Sequence, residues 1–447
     1  MSSSDTTETT PGQSQAFMGR ALLPGIFVAF APFGSTTVDR CLVADPFVVG
    51  RGAGCDLTIR DDKVSKKHFR ITRGADGFWI EDLKSTNGTF VNGAPLVTQN
   101  KLQSPAVIRV GRAVLVFYND AAPLLEPPPP NRFGMGGDFH TGPIIEALSD
   151  AARSNRHVLL SGSSGTGKEL AAKAYASMIG RGTFLTHNAA RFASAEEAAT
   201  TLFGVGPKVF SGVEERPGLI ERAYQGLLFL DEVHNLPGRV QRSLLRVIED
   251  GETARIGETV TRPADVRFVL ASNVQDGTRG LAHDLYTRLR EVRIQPISER
   301  VADIPSIFNG VLRAALGQFN LDDAPVIDLL SGDHYESLCL DGFLADNVRG
   351  LVDLADRVAT RIRGGTDPAR SLELVFGDRF ADGPVPSRYR GSEEAGALHY
   401  EQNKEYIVAA YRECNGNISA VERALKTKGL RCSRRWLTVY LGKWGVR

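Results

Sequence analysis

A glycine-rich segment between an apolar strand and a helix offers the clearest chemistry in this chain. The segment reads Gly162, Ser163, Ser164, Gly165, Thr166, Gly167, Lys168 and Glu169. Glycines let backbone N–H groups wrap around phosphates, and the amino terminus of the following helix adds a favourable potential. Lys168 is placed to neutralise charge on the β and γ phosphates of a nucleotide. The pattern therefore predicts an ATP-binding loop.

A pair of acidic residues follows a second apolar strand. The run 227–230 is Leu-Leu-Phe-Leu, and Asp231 and Glu232 come directly after it. A carboxylate at the first position supports Mg²⁺, and one at the second polarises an attacking water. The two motifs have the order and spacing of Walker A and Walker B. Together they predict Mg²⁺-dependent ATP hydrolysis, with Asp231 as the metal ligand.

Residues from about 140 to 355 resemble the AAA+ ATPase of σ54-dependent transcription activators, most clearly in the stretch GLLFLDEVHNLPGRVQRSLLRVIEDGETARIGE. The resemblance implies a P-loop α/β fold with a helical lid. It also assigns roles: Asn188 restrains the catalytic glutamate, Asn273 is sensor I, Arg288 is an arginine finger, and Arg349 is the sensor II arginine. In this family the finger acts on the nucleotide of a neighbouring subunit, which implies a homo-oligomer.

The sequence departs from that family at two places. The first of the family's two arginine fingers falls on Ala282. The σ54-gripping loop, GAFTGA in the family, reads Lys-Val-Phe-Ser-Gly-Val over residues 208–213. Phe210, Ser211 and Gly212 keep the aromatic ring, the hydroxyl and the glycine of the motif. We therefore expect these three residues to contact σ54.

An ordered set of short motifs in the first hundred residues resembles a forkhead-associated (FHA) domain. The set is Gly50-Arg51, Ser65-Lys66-Lys67-His68, Ser85-Thr86-Asn87-Gly88-Thr89 and Val91-Asn92-Gly93. A phosphate needs a fixed cation and short donors on loops at one end of a rigid scaffold. The resemblance implies that Arg51 and Ser65 hold a phosphothreonine and that Asn87 orients the peptide. His68 and Gly50 are structural in that family.

The carboxyl terminus is basic on an otherwise balanced chain. The formal net charge is +1, yet residues 426–447 contain seven Lys or Arg and no Asp or Glu. Gly416-Asn417-Ile418-Ser419 and the later Ser433-Arg434-Arg435 resemble a Fis-type helix-turn-helix. We expect Arg434 and Arg435 to contact DNA bases or phosphates and Lys443 to contact the DNA backbone.

These motifs lie on a multidomain scaffold: a β-sandwich, an α/β P-loop ATPase core with a helical lid, and an all-α helix-turn-helix. The predicted boundaries are a disordered tail 1–16, the FHA domain 17–121, a Pro-rich linker 122–137, the ATPase core 138–300, the lid 301–365, a linker 366–396 and the DNA-binding domain 397–447. The chain has no apolar run long enough to span a bilayer, no signal peptide and only five scattered cysteines. These features predict a cytoplasmic protein.

The combined reading is a DNA-bound ATPase that remodels σ54-RNA polymerase in response to a Ser/Thr kinase. The expected partners are double-stranded DNA, the σ54 polymerase and either a phosphothreonine protein or the chain's own tail, in which Thr9 and Thr10 precede Pro11. Two alternatives stay open. One is a σ54-independent regulator or repressor. The other is a phosphoprotein-binding adaptor whose ATPase is a nucleotide-gated switch.

Overall fold

The computed structural model describes residues 22–32, 34–36, 38–207, 215–274, 280–340, 346–380, 404–414 and 416–427, together with Leu437 and Leu441. Its amino-terminal part is a β-sandwich of two sheets. The first sheet contains, in spatial order, β2 (Arg40–Leu42), β1 (Gly25–Phe30), β11 (Ala113–Tyr118), β10 (Ala106–Val110), β7 (Thr89–Val91) and β8 (Ala94–Pro95). The second contains β4 (Leu57–Thr58), β3 (Phe47–Gly50), β5 (Phe69–Gly74), β6 (Gly77–Asp82) and β9 (Asn100–Lys101). The predicted sandwich is confirmed.

Strand β11 is buried on both of its faces. Ala113, Leu115 and Phe117 point into the core between the two sheets. Val114 and Val116, which alternate with them, belong to a second core shared with helices between residues 304 and 376. The run AVLVFY contains no polar residue that could face water, and a strand with two covered faces needs such a run.

The middle of the chain forms a parallel sheet flanked by helices, as predicted. The strand order is β13 (Phe184–Asn188), β16 (Leu227–Asp231), β19 (Arg267–Ser272), β12 (His157–Ser161) and β20 (Leu289–Arg293). Short two-stranded sheets add β14 (Gly204–Val205) with β15 (Arg216–Pro217) and β17 (Glu252–Thr253) with β18 (Arg262–Pro263). The helices of this part are α1 (Thr141–Arg153), α2 (Lys168–Ile179), α3 (Ala195–Phe203), α4 (Leu219–Arg222), α5 (Gly238–Asp250) and α6 (His283–Thr287). Separate apolar clusters cover the two faces of the main sheet, so the strands have a buried core on both sides.

A helical lid follows the parallel sheet. It comprises α7 (Ile304–Gly317), α8 (Ala324–Asp328), α9 (Gly332–Leu340), α10 (Val348–Arg363) and α11 (Pro368–Phe380). The last of these corrects the predicted linker 366–396, because helix α11 occupies its first part. Leu372, Val375 and Phe376 pack into the lid core at helical spacing. The neighbouring Gly, Asp and Pro residues hid this short apolar stripe within a loop-like composition.

The Pro-rich segment after β11 lies against the sandwich. The Arg40 guanidinium donates to the carbonyl oxygens of Leu124 and Glu126, at 2.8 Å in each case. The same guanidinium stacks 4.9 Å from the ring centroid of Phe139. These contacts hold both ends of the linker on one side chain of β2.

Two helices are described near the carboxyl terminus, α12 (Lys404–Glu413) and α13 (Ile418–Thr427). A small cluster joins them to Leu437 and Leu441 through Ile407, Val421 and Leu425. The predicted DNA contacts Arg434, Arg435 and Lys443 lie outside the described residues. Within the described part of the chain, no helix has the length and apolar character required to cross a membrane.

Candidate functional site

The loop between β12 and α2 forms a cradle of backbone at the carboxyl edge of the parallel sheet. Gly162, Gly165 and Gly167 have φ values of 155°, 76° and 101°. A Cβ at Gly162 would lie 2.4 Å from the Ile294 carbonyl oxygen, and one at Gly165 would lie 2.6 Å from the Asp346 carbonyl oxygen. Gly162 and Gly165 therefore need glycine for both conformation and space, and Gly167 needs it for conformation.

Lys168 begins helix α2 and folds back over the cradle. Its Nζ donates to the carbonyl oxygens of Gly162 at 2.8 Å and Ser163 at 3.0 Å. Burial lowers the pKa of the Lys168 ammonium, while the charges of Asp231 and Glu232 act in the opposite direction. The lysine predicted from the loop and the acidic pair predicted from the second strand thus lie within electrostatic reach of each other.

The acidic pair lies at the end of β16. Asp231 is the last residue of the strand, and its Oδ1 accepts a hydrogen bond of 2.9 Å from the Glu232 backbone N–H. Glu232 has φ 51° and ψ 40°, a left-handed conformation that turns the chain sharply at the sheet edge. The Asn235 amide donates to Glu232 Oε2 at 3.3 Å. Sequence reasoning missed Asn235, which is three residues past the motif.

The two predicted asparagines also lie at strand ends. Asn188 ends β13 and pairs in register with Asp231, and Asn273 directly follows β19. The Asn188 side chain accepts from the Ala190 backbone N–H at 2.9 Å and caps a short 3-10 helix. The hydrogen bond to Glu232 seen here comes from Asn235 rather than from Asn188.

The cradle is also contacted by Arg300, which follows β20, and by residues at the start of lid helix α10. Nη1 of the predicted Arg349 lies 3.4 Å from Ser164 Oγ. The Asn347 amide donates to the Ser164 carbonyl oxygen at 2.8 Å, and the buried Arg300 donates to the Thr166 carbonyl oxygen at 3.2 Å. Asn347 and Arg300 were not predicted. Each of these two contacts joins residues more than a hundred positions apart, so no local sequence motif could indicate it.

Arg288 lies at the other edge of the sheet. It precedes Leu289, which pairs with His157 at the start of β12, whereas the cradle follows Ser161 at the end of that strand. Four residues of strand separate the two edges by about 13 Å. Arg288 also lines a surface cavity of about 370 Å³ with Asn155, Arg156, His157, Ile248 and Glu249. This position turns Arg288 away from the cradle of its own chain.

The three residues predicted to read phosphothreonine lie on adjacent loops at one end of the sandwich. The Arg51 N–H donates to the Ser65 carbonyl oxygen at 2.8 Å, and Arg51 Nε donates to the Val64 carbonyl oxygen at 3.1 Å. The Asn87 amide donates to the Lys63 carbonyl oxygen at 2.7 Å. Arg51 and Asn87 are exposed to solvent.

Ser65 is tied into the same end of the sandwich. Its Oγ accepts from the Thr86 backbone N–H at 3.0 Å, so Thr86 joins the loop cluster as a residue that sequence reasoning did not select. Buried His68 accepts from the Ser65 N–H on Nδ1, which leaves Nε2–H to donate to the Gly88 carbonyl oxygen at 3.1 Å. Burial lowers the pKa of His68, which favours this neutral form. A Cβ at Gly50 would lie 2.5 Å from the Lys66 carbonyl oxygen.

Comparison with known families finds two separate matches, one in the β-sandwich and one in the part of the chain that contains the parallel sheet. Residues 47–111 match the model of the FHA domain, and residues 136–295 match the model of the Sigma-54 interaction domain. The chain contains an FHA domain followed by a sigma-54 interaction domain. The FHA match includes Arg51, Ser65 and Asn87, and the sigma-54 interaction match includes the cradle, the acidic pair and Arg288.

Curated relatives share the sigma-54 interaction domain. The C4-dicarboxylate transport transcriptional regulatory protein DctD of Rhizobium meliloti is 35% identical over 230 residues, which cover 49% of this chain and 49% of that protein. The phenol regulator MopR of Acinetobacter guillouiae is 38% identical over 192 residues, which cover 40% of this chain and 33% of that protein. The chain therefore spans between a third and a half of the length of these relatives. A structure of NtrX from Brucella abortus in complex with ADP is 26% identical and covers 68% of each chain, with a TM-score of 0.46.

Two groups of predicted site residues have no described geometry. Phe210, Ser211 and Gly212, the predicted σ54 contact of the sigma-54 interaction domain, lie outside the described residues. The same holds for the basic residues of the predicted DNA-binding helix. No group of three or more His, Cys, Asp or Glu in the described ranges forms a candidate metal cluster.

Proposed function

We propose that this protein is a DNA-binding transcription regulator that hydrolyses ATP to remodel σ54-RNA polymerase and is controlled by phosphothreonine recognition. The arrangement of Lys168 and the Asp231–Glu232 pair around a glycine cradle supports the ATPase part most strongly. The cradle has left-handed glycines, close backbone approaches and a lysine at the helix start, which are the features that phosphates require.

In this proposal each part of the cradle has its own task. Backbone N–H groups of 163–168 bind the phosphates, and Lys168 moves from the Gly162 and Ser163 carbonyl oxygens onto phosphate oxygens. Glu232, oriented by Asn235, polarises the attacking water. Asp231 would hold Mg²⁺, which when bound neutralises charge on the β and γ phosphates. Arg349 brings the lid onto the nucleotide.

Two substitutions test the ATPase assignment on the purified chain. Lys168→Ala should abolish binding of a fluorescent ATP analogue, because the cation that faces the phosphates is lost. Glu232→Gln should bind the analogue as wild type does and release no phosphate. Normal turnover by Glu232→Gln would remove Glu232 from the catalytic role.

The σ54 assignment depends on the loop 208–213. With a transition-state ATP analogue, wild type should form a complex with purified σ54, and Phe210→Ala should lose the complex while still binding nucleotide. A wild type that forms no complex, beside a variant restored to Gly-Ala-Phe-Thr-Gly-Ala that does, would show that the natural loop has left σ54.

DNA binding is assigned to the carboxyl-terminal helices. Arg434→Ala and Arg435→Ala should weaken specific binding more than Lys443→Ala does, because bases are read near the start of a recognition helix. Binding should also weaken steeply with salt. Equal losses on specific and random DNA would restrict these arginines to phosphate contacts.

A σ54-independent regulator is the second candidate, and specific residues favour it. Ala282 stands where the family has its first arginine finger, and Lys208 and Val213 replace small residues of the σ54 loop. Genome-wide binding compared with σ54 promoter positions separates the two candidates. The third candidate is a phosphoprotein-binding adaptor whose ATPase serves only as a nucleotide-gated assembly switch, and the rate of ATP hydrolysis by the purified protein separates it from both regulators.

A further inference from the structure

We propose that the FHA sandwich is a fixed part of the ATPase lid, so that phosphothreonine occupancy at Arg51, Ser65 and Asn87 is coupled to nucleotide occupancy at the P-loop cradle. The inference rests on the proposed function, because it assumes that both ligands bind. The contacts below connect the phosphothreonine-reading loops to the P-loop cradle through the lid, and no sequence motif indicates this connection.

The first observation is a single apolar core shared by the two domains. Phe27, Val107, Val114 and Val116 of the sandwich pack in one cluster with lid helices α7, α9 and α10. Phe27 and Val114 are fully buried. At the edge of this core the ring centroids of Phe30 and Tyr335 lie 4.2 Å apart. Because residues of the sandwich and of the lid are buried in the same close-packed core, the two domains cannot move separately.

The second observation is a largely buried ion pair across the interface. Arg109 Nε lies 2.6 Å from Glu336 Oε2 on lid helix α9, and the two side chains are 13% and 8% exposed. The Arg109 guanidinium also stacks 4.0 Å from the ring centroid of Phe90. Phe90 lies in β7, which begins two residues after Asn87. The ion pair therefore joins the lid to the strand that leaves a phosphothreonine-reading loop.

A third set of contacts leads from the same loops to the start of α9. The Lys63 carbonyl oxygen accepts from Asn87, and the Lys63 N–H donates to Asp61 Oδ1 at 3.1 Å. Asp61 also accepts from the backbone and side chain of Arg112, in the turn between β10 and β11. Gly332 lies directly on that turn, since a Cβ there would be 2.3 Å from the Arg112 carbonyl oxygen.

The lid in turn touches the cradle. Asn347 and Arg349 contact Ser164, and the Val348 N–H donates to the Gly165 carbonyl oxygen at 3.1 Å. On the other side of the core, the Ala302 N–H donates to Tyr118 Oη at 3.1 Å, two residues after the Arg300 that bonds the cradle. A nucleotide in the cradle therefore acts directly on the start of α10 and on residues 300–302, and both belong to the packing against which residues 61–65 of the sandwich are held.

Linkage makes this coupling measurable in both directions. If ADP changes the affinity for a phosphothreonine peptide by some factor, the peptide must change the affinity for ADP by the same factor. The test uses the full chain, ADP, and a fluorescent phosphothreonine peptide selected from a degenerate library. We expect the peptide Kd with and without saturating ADP to differ by at least about fivefold.

Glu336→Gln keeps the shape of the interface and removes the shorter and more buried of the two ion pairs that Arg109 makes with α9, leaving the 3.5 Å pair with the exposed Asp333, so the ratio of the two Kd values should fall towards one. The matched control is Glu81→Gln, which removes the Arg70–Glu81 pair on the other sheet and should keep the wild-type ratio. Phe30→Leu is a second test that leaves the charges in place, for use if Glu336→Gln does not fold. Failure of either ligand to bind wild type would overturn the proposed function and the coupling with it. Two normal affinities with a wild-type ratio of one, or folded Glu336→Gln and Phe30→Leu proteins that keep the full ratio, would overturn the coupling alone.

Discussion

Arg288 Nη2 lies 2.6 Å from Glu249 Oε1, at the edge of the parallel sheet opposite to the cradle that holds Lys168. Glu249 belongs to α5, so this ion pair holds the Arg288 side chain against that helix. An arginine at this edge faces away from the cradle of its own chain, so in the proposed homo-oligomer its target would be the nucleotide of a neighbouring subunit.

We therefore predict complementation between two inactive proteins. Arg288→Ala should lower kcat by about 10³-fold through loss of the finger, and Glu232→Gln should be inactive through loss of the polarising carboxylate. In a mixed oligomer, an Arg288→Ala subunit beside a Glu232→Gln subunit has a complete site. An equimolar mixture should recover activity at about a quarter of the sites, measured as phosphate release. Arg290→Ala, a change at an exposed arginine two residues further along the chain, is the control. No recovery on mixing would place the finger in cis or remove its role.

Phosphothreonine binding should depend on the charge of Arg51. Arg51→Ala should weaken binding of a phosphothreonine peptide by about 1.5–3 kcal/mol, or roughly 10- to 150-fold, because hydrogen bonds from a charged donor are lost. Arg60→Ala removes another exposed arginine of the same sandwich and should have little effect. Fluorescence anisotropy measures both. If the two substitutions weaken binding equally, the contribution of Arg51 is only to the net charge.

The parallel-sheet domain should lose stability as the pH falls below about 6.5. Burial lowers the pKa of His157 from its ordinary 6.5 to about 3, and the charge of Arg267 acts in the same direction. The unfolded chain takes up a proton below pH 6.5 while the folded chain does not, so stability is complete above this pH and is lost as the pH falls towards the folded pKa. The expected slope from this group is about 1.4 kcal/mol per pH unit.

His157→Asn isolates this contribution, because an amide oxygen can accept the Phe268 N–H that now bonds His157 Nδ1 at 3.1 Å. Between about pH 6.5 and 5.5 wild type should lose roughly 1 kcal/mol more stability than the variant, measured by hydrogen exchange in β12 and β19. The exposed His283→Asn should follow wild type. Parallel pH profiles for wild type and His157→Asn would contradict the prediction.

The shared core predicts that a sandwich substitution destabilises the lid. Phe27→Ala removes a fully buried ring that packs against both domains and should cost about 3–5 kcal/mol. Hydrogen exchange in α7 should increase. Ile80→Ala is the matched control, since Ile80 is fully buried in the other sandwich core and should loosen the sandwich without increasing exchange in α7. Unchanged exchange in α7 of Phe27→Ala would show that the lid is stable without the sandwich.

The sequence predicted the parts of the site that local motifs encode. The glycines of the cradle, Lys168 and the Asp231–Glu232 pair each lie next to an apolar strand, so their types and neighbours define both the element and the chemistry. The loops that carry Arg51, Ser65 and Asn87 were predicted for the same reason. Each of these residues is placed by a strand or helix that begins or ends within a few positions of it.

Contacts between distant elements could not be predicted in this way. Arg300, Asn347 and the Arg109–Glu336 pair acquire their roles only when the lid folds onto the cradle and the sandwich, and isolated arginines, asparagines and glutamates are ordinary surface residues. One signal was present. The six apolar residues of β11 leave that strand no face for water, and this indicates a second layer over the sandwich.

The core that joins the sandwich to the lid sets where this protein can be cut and recombined. A chimaera that joins a foreign sensor at the Pro-rich segment 122–137 would remove Val114 and Val116 from the core that they share with the lid helices and expose apolar lid residues to water. An exchange that carries residues 22–121 together with 300–380 would transfer the sandwich and the lid, and so both sides of their shared core. The new junctions would then lie next to the parallel sheet. For engineering, the unit that must be exchanged as a whole is therefore discontinuous in sequence. The parallel sheet is inserted between its two parts.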